Sequence, residues 1–76
     1  MTHDELIVKM QLAGGTVIKY NYDKFAIYFA NASLYWEYNP DTTTIVIYRV
    51  ITRNSKCKRF DNADDAYEHI VKWILP

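Results

Sequence analysis

The stretch TVIKYNYDKFAIYFANASLYWEYNPDTTTIVIYRVIT, residues 16–52, carries the information that sets the fold. Across it the apolar positions recur every second residue, and β-branched and aromatic side chains dominate, the pattern of strands half buried on a sheet. Three breaks divide it: Asn21-Tyr22-Asp23, Asn31-Ala32 and Asn39-Pro40-Asp41-Thr42. Each break carries Asn, a residue that tolerates positive φ, and the last sets Pro after Asn, the chemistry of a type I turn. Strands are therefore expected at Thr16 to Tyr20, Lys24 to Ala30, Ser33 to Tyr38 and Thr43 to Thr52. Connections this short join antiparallel neighbours, so the segment is a meander. Beyond it, Arg53-Asn54-Ser55 reads as a turn into a short strand from Lys56 to Phe60, which makes the sheet four-stranded or five-stranded.

Helices flank the meander. Thr2-His3-Asp4-Glu5 matches a capping box, and Leu6, Ile7, Met10 and Ala13 follow at helical spacing until Gly14-Gly15 ends the run. At the other end Asp61 or Asn62 caps a second helix, with Asp64 and Asp65 in the first turn, where the helix dipole favours negative charge. Ala63, Ala66, Tyr67, Ile70, Trp73 and Ile74 line one side of it, and Glu68 and Lys72 form an i,i+4 pair on another. The expected fold is one α+β domain, residues 1–76: helix, antiparallel meander, helix, with both helices on one face of the sheet.

Alternation splits each strand into two sets of side chains. The bulkier set is the expected core: Ile18 and Tyr20, then Phe25, Ile27 and Phe29, then Leu34, Trp36 and Tyr38, then Ile45, Ile47 and Ile51. The other set reads Val17 and Lys19, Ala26, Tyr28 and Ala30, Tyr35 and Glu37, Val46, Tyr48 and Val50, which is apolar for a face turned to water. Arg49 falls in phase with the core set, so a bulge beside it or a place beyond the helices' reach is needed to bring it to solvent. Tyr28, Tyr35 and Tyr48 make the second face a docking surface if both helices cover the first, since tyrosine joins a rigid contact area to a water-tolerant hydroxyl. The competing reading divides the helices between the faces.

Seventy-six residues hold one core and bury about 60–65% of the surface exposed on unfolding, so stability is several kcal/mol at most. An aromatic share of 16% supplies large buried areas in place of disulfides, which a single cysteine, Cys57, cannot form within the chain. That cysteine count, and a start unlike a secretory signal, point to the reducing cytoplasm. The longest apolar runs, such as Phe25 to Ala30, fall far short of the ~20 residues that cross a bilayer. Net charge is zero but uneven: Arg49, Arg53, Lys56, Lys58 and Arg59 occupy a stretch, 42–60, without one acidic residue, and the remainder holds four basic residues against nine acidic, or −5.

Catalytic and metal-binding constellations are poorly represented. Cys57 lies twelve residues before His69 with no oxyanion turn or family-type flank. Asp65 and His69 share a helical face at i,i+4 spacing, the geometry of a hydrogen bond more than of a zinc site, and His3 with Asp4 and Glu5 reads as a charged first helical turn. No phosphate loop, Ser-His-Asp order or metalloprotease motif occurs, so neither enzymatic activity nor a cofactor or metal is expected. The basic run around Arg49 to Arg59, with Tyr48 beside it, is the remaining candidate, able to contact phosphates or an acidic protein.

The order of elements is similar to that of double-stranded-RNA-binding domains, but Asp61-Asn62-Ala63-Asp64-Asp65 stands where those carry a basic Lys-Lys-x-Ala-Lys start to the second helix. Aromatic-rich strands followed by Lys58-Arg59-Phe60-Asp61-Asn62-Ala63-Asp64-Asp65-Ala66 resemble small phage-encoded host-takeover proteins, anti-CRISPR proteins among them, in layout across the whole chain and in no single motif. That resemblance implies a non-enzymatic inhibitor that occludes a larger host complex, a nucleoprotein among them, and brings no site residues with it. Three readings result: a protein-binding module using Tyr28, Tyr35, Tyr48 and the basic hairpin; a nucleic-acid-binding domain using Arg49, Arg53, Lys56, Lys58 and Arg59; and a structural homodimer.

Overall fold

Thr2 starts the first helix, α1 (His3–Leu12), by the expected box: its Oγ1 accepts from the Glu5 amide at 3.1 Å, and its own amide donates to Glu5 Oε1 at 3.1 Å. A computed structural model describes residues 1–30, 32–51 and 54–74, and the side-chain surroundings of all of these except 49–51, 54–56, 73 and 74. The helix is closed by Gly14 at φ +99°, a conformation open to glycine, and by the Gly15 amide bonding back to Met10 O at 3.0 Å. Gly15 is needed for a different reason. A Cβ there would lie 2.7 Å from Ile27 Cγ1 and 2.9 Å from Phe29 Cε1, so the missing side chain lets the chain turn onto the sheet at close range.

Five strands follow, β1 (Thr16–Lys19), β2 (Lys24–Tyr28), β3 (Ser33–Asn39), β4 (Thr44–Ile51) and β5 (Asn54–Phe60), then α2 (Ala63–Ile74). They form one antiparallel sheet in the order β1-β2-β3-β4-β5, so the fifth strand is present and extends to Asn54. Register places Phe25 opposite Trp36 and Trp36 opposite Ile47, with Ile27 opposite Leu34, so these five side chains share one side. Leu6 and Met10 of α1 and Ala63, Ala66 and Ile70 of α2 all join the buried cluster that these residues form with Ile45. Both helices therefore cover the same side of the sheet. They also meet each other, through Lys9 Nζ lying 5.2 Å from the Tyr67 ring centre and the Met1 amino group donating to Asp64 Oδ2 at 2.9 Å. No described helix is long and apolar enough to cross a membrane.

The first strand departs from expectation. Val17 pairs with Ile27 and Lys19 with Phe25 on the helix side, which puts Ile18, opposite Ala26, on the other side. Ile18 and Tyr20, expected in the core, are 44% and 53% exposed. Val17 and Ile18 are adjacent apolar residues in opposite phases of a four-residue strand, so its phase is set by the turn into β2, where the Tyr20 amide bonds to Lys24 O at 2.9 Å. Phe29 lies past the end of β2 and still packs against the core.

In the β3–β4 connection the Asn39 side chain accepts from the Asp41 amide at 2.9 Å, but the residue at positive φ is Thr43, at 57°, and not an asparagine. A β-branched residue is strained there, and its Oγ1 donates to Asp61 O at 3.2 Å, tying the hairpin to the start of α2. Asn62 is the cap of α2: its Oδ1 accepts from the Asp65 amide at 2.9 Å and its Nδ2 donates to Asp65 Oδ2 at 3.1 Å.

His3 does stand in the charged first turn of α1, but its side chain turns inward. It is 8% exposed, its Nε2 accepts from the Trp36 indole N–H at 2.9 Å, and its ring stacks on Tyr38 at 3.9 Å and meets Phe25 edge-on at 4.8 Å. A nitrogen that accepts is unprotonated, and burial lowers the His3 pKa from its ordinary 6.5. The unfolded chain then takes up the proton first as pH falls. Stability from this site is full above about pH 6.5 and falls with pH between that value and the lower folded one, by no more than about 1.4 kcal/mol per unit. Urea midpoints measured from neutral to mildly acidic pH are expected to show this loss in the wild type and to lack it in His3→Gln. Gly15→Ala, which drives a methyl into Ile27, is expected to destabilise by about 1–3 kcal/mol, read from the same urea curves.

Candidate functional site

With both helices on one side, alternation delivers Tyr35, Tyr48 and Tyr28 to the other. Tyr35 stands between Ala26 and Tyr48 in register, and Tyr48 between Tyr35 and Cys57, so one row runs Ile18, Ala26, Tyr35, Tyr48, Cys57 across all five strands. Ala26, between Ile18 and Tyr35 in this row, is fully buried. Tyr28 is 37% exposed, while Tyr35 and Tyr48 are half-buried.

Tyr20 completes the group. Its ring stacks parallel to Tyr35, centroids 5.8 Å apart, and Tyr28 meets Tyr35 edge-on at 6.3 Å. The Tyr28 hydroxyl lies 3.3 Å from the hydroxyls of both Tyr20 and Tyr35. These contacts hold three aromatic side chains in fixed relative positions, so little rotamer freedom remains to be lost when another surface meets them. Hydrogen bonds from both neighbours lower the Tyr28 pKa, whereas bonding to Tyr28 and Tyr35 raises that of Tyr20. Burial, with Glu37 and Cys57 nearby, raises Tyr48. The phase reversal in β1 hid Tyr20 and Ile18 from the sequence reading, and Lys19, a charge that alternation assigns to the outer face but that pairs with Phe25 on the helix side, pointed to the wrong phase.

The basic segment is divided by the sheet. Arg59, opposite Val46, and Cys57 lie on the tyrosine side; Lys58, opposite Ile47, occupies a helix-side position, and the side chains of Arg49 and Lys56, which pair with each other in register, lie outside those described. Arg53 lies outside the described residues. Only Arg59 of the described basic side chains in the segment therefore adjoins the tyrosines, and its Nε is 3.9 Å from Asp61 Oδ1, an exposed pair of little strength. Lys24, Glu37, Val46 and Arg59 form the adjoining row, and at that end the face meets a shallow groove lined by Tyr22, Asp23, Glu37, Pro40 and Asp41.

Other sequence candidates are not brought together. Cys57 is exposed on the tyrosine side, while His69 packs on Phe60, which faces the helices opposite Ile45, so the sheet stands between thiol and imidazole. Asp65 is engaged by Asn62. Among the described residues no three His, Cys, Asp or Glu side chains are grouped to hold a metal.

Ultraviolet titration is expected to show one phenol ionising below the ordinary value near 10, and Tyr28→Phe to remove that component and move the raised Tyr20 phenol back toward the ordinary value. In comparisons with protein-family models, with characterised proteins and with solved structures, the chain matched none.

Proposed function

We propose that this domain is a non-catalytic binding module that captures a protein partner on the tyrosine-bearing side of its sheet. One observation carries the reading: both helices pack on the opposite side, leaving Tyr20, Tyr28 and Ile18 substantially exposed beside Tyr35 and Tyr48. An aromatic centre with a rim of both signs, Lys24 and Arg59 against Glu37, Asp23 and Asp41, has the anatomy of a protein interface. The same carboxylates oppose a phosphate backbone, and the division of Lys58 and Arg59 between the two sides weakens a nucleic-acid reading further. A domain bound in this way acts by covering its partner's surface, the occluding inhibition that the phage-protein layout implies.

The test is capture from the native cell with the tagged domain, followed by mass spectrometry and nucleic-acid staining. Tyr20→Ala with Tyr28→Ala is expected to keep the wild-type circular dichroism and to reduce recovery of the partner at least about tenfold, in keeping with aromatic anchors near an interface centre. Val8→Ser, on the exposed side of α1, is expected to leave recovery unchanged. Equal recovery by the folded double variant rejects the reading, and recovery of nucleic acid that collapses with rising salt replaces it with the nucleic-acid one.

A further inference from the structure

The strand order gives β5 a neighbour on one side only: each residue from Asn54 to Phe60 is in register with β4, and among the described residues no strand pairs its outer side. Such an edge presents unpaired N–H and C=O groups that an extended chain can complete as a further strand. Lys56, Lys58 and Arg59 stand along it, Lys58 and Arg59 exposed, inside a stretch with no acidic residue from 42 to 60. The opposite edge, β1, has four residues and one lysine.

Charge selects the occupant. A second copy of β5 laid antiparallel about its centre, Cys57, would set Lys56 against Lys58 at two places, an opposition of like charges that destabilises a strand pair. An acidic strand meets the reverse situation. Outside 42–60 the chain holds four basic residues against nine acidic, a net −5, so an acidic segment is attracted to this edge and repelled from the rest of the surface.

We propose that the outer edge of β5 docks an extended acidic segment of a protein partner, which joins the sheet as a sixth strand. Main-chain hydrogen bonds hold it, and acidic residues two apart align with Lys56 and Lys58, which stand two apart along the strand. This site shares Arg59 with the rim of the tyrosine face and none of its aromatic contacts, because it is built from the backbone groups and charges of the sheet's margin.

The probe is a blocked peptide of four Glu-Val repeats, compared with its Lys-Val counterpart and with two versions N-methylated at alternate residues in opposite phases. Only alternate amides of an added strand point at the sheet, so one methylation phase is expected to abolish binding and the other to be tolerated. The Lys-Val peptide is expected not to bind. Lys58→Glu with Arg59→Glu, checked for wild-type circular dichroism, is expected to lower affinity at least about tenfold, while Lys19→Glu, exposed on the opposite edge strand β1, leaves it unchanged. Amide hydrogen exchange is expected to slow at alternate residues of 54–60 when the peptide is present. No binding of the acidic peptide, or binding that both methylation phases tolerate equally, overturns the proposal.

Discussion

The hydrogen bond from the Trp36 indole to His3 Nε2, buried between α1 and the centre of the sheet, joins residues 33 positions apart and fixes which side of β3 faces the helices. Once Trp36 points there, between Phe25 and Ile47, Tyr35 has to point the other way, and the register carries that choice to every other strand. A slip of one residue would exchange the two faces. It would place Tyr35 and Tyr48 beneath the helices and strand Trp36 in water without its acceptor. The buried face and the tyrosine face are thus two results of one packing choice.

The two faces are held by different physics. Beneath the helices, close-packed aliphatic and aromatic side chains exclude water, and the His3 imidazole among them accepts a hydrogen bond on its unprotonated nitrogen. On the other side, rings pack on one another and hydroxyls bond in a short chain, yet solvent still reaches Tyr20 and Tyr28. That second arrangement is ordered without being sealed, the property expected of a preorganised contact surface.

Much of this was legible in the sequence. Phe25 and Ile27, Leu34 and Trp36, and Ile45 and Ile47 place the bulkier apolar side chains in one phase of strands long enough for that phase to be read, against alanine, glutamate and tyrosines in the other. Thr2 and Asn62 announced the helix starts through side chains that act on their own backbone within three residues. What escaped depended on distant partners. The burial of His3 needs Trp36, Tyr38 and Phe25 from across the sheet, and a histidine beside Asp4 and Glu5 carries no local mark of them. In β1, Val17 and Ile18 offer the core two equal phases, and the β-branched Thr43 at positive φ is held by Asp61 from eighteen residues away. The tyrosine face was readable where the strands are long, at Tyr35 and Tyr48, and unreadable at Tyr20, just past the end of the shortest strand.

The simple strand order has a kinetic meaning. Every strand pairs with its neighbour in sequence, so each hairpin can zip from a short turn with little loop entropy to overcome. The helices are different, since α1 joins the core through contacts such as His3 with Trp36, 33 residues apart, and the Met1–Asp64 contact closes a span of 63 residues. Sheet assembly before helix docking is the economical route, and a nascent meander without its helices exposes two greasy surfaces at once. The tyrosines, being tolerant of water, make one of those surfaces less adhesive during that interval than leucines or phenylalanines in the same positions would.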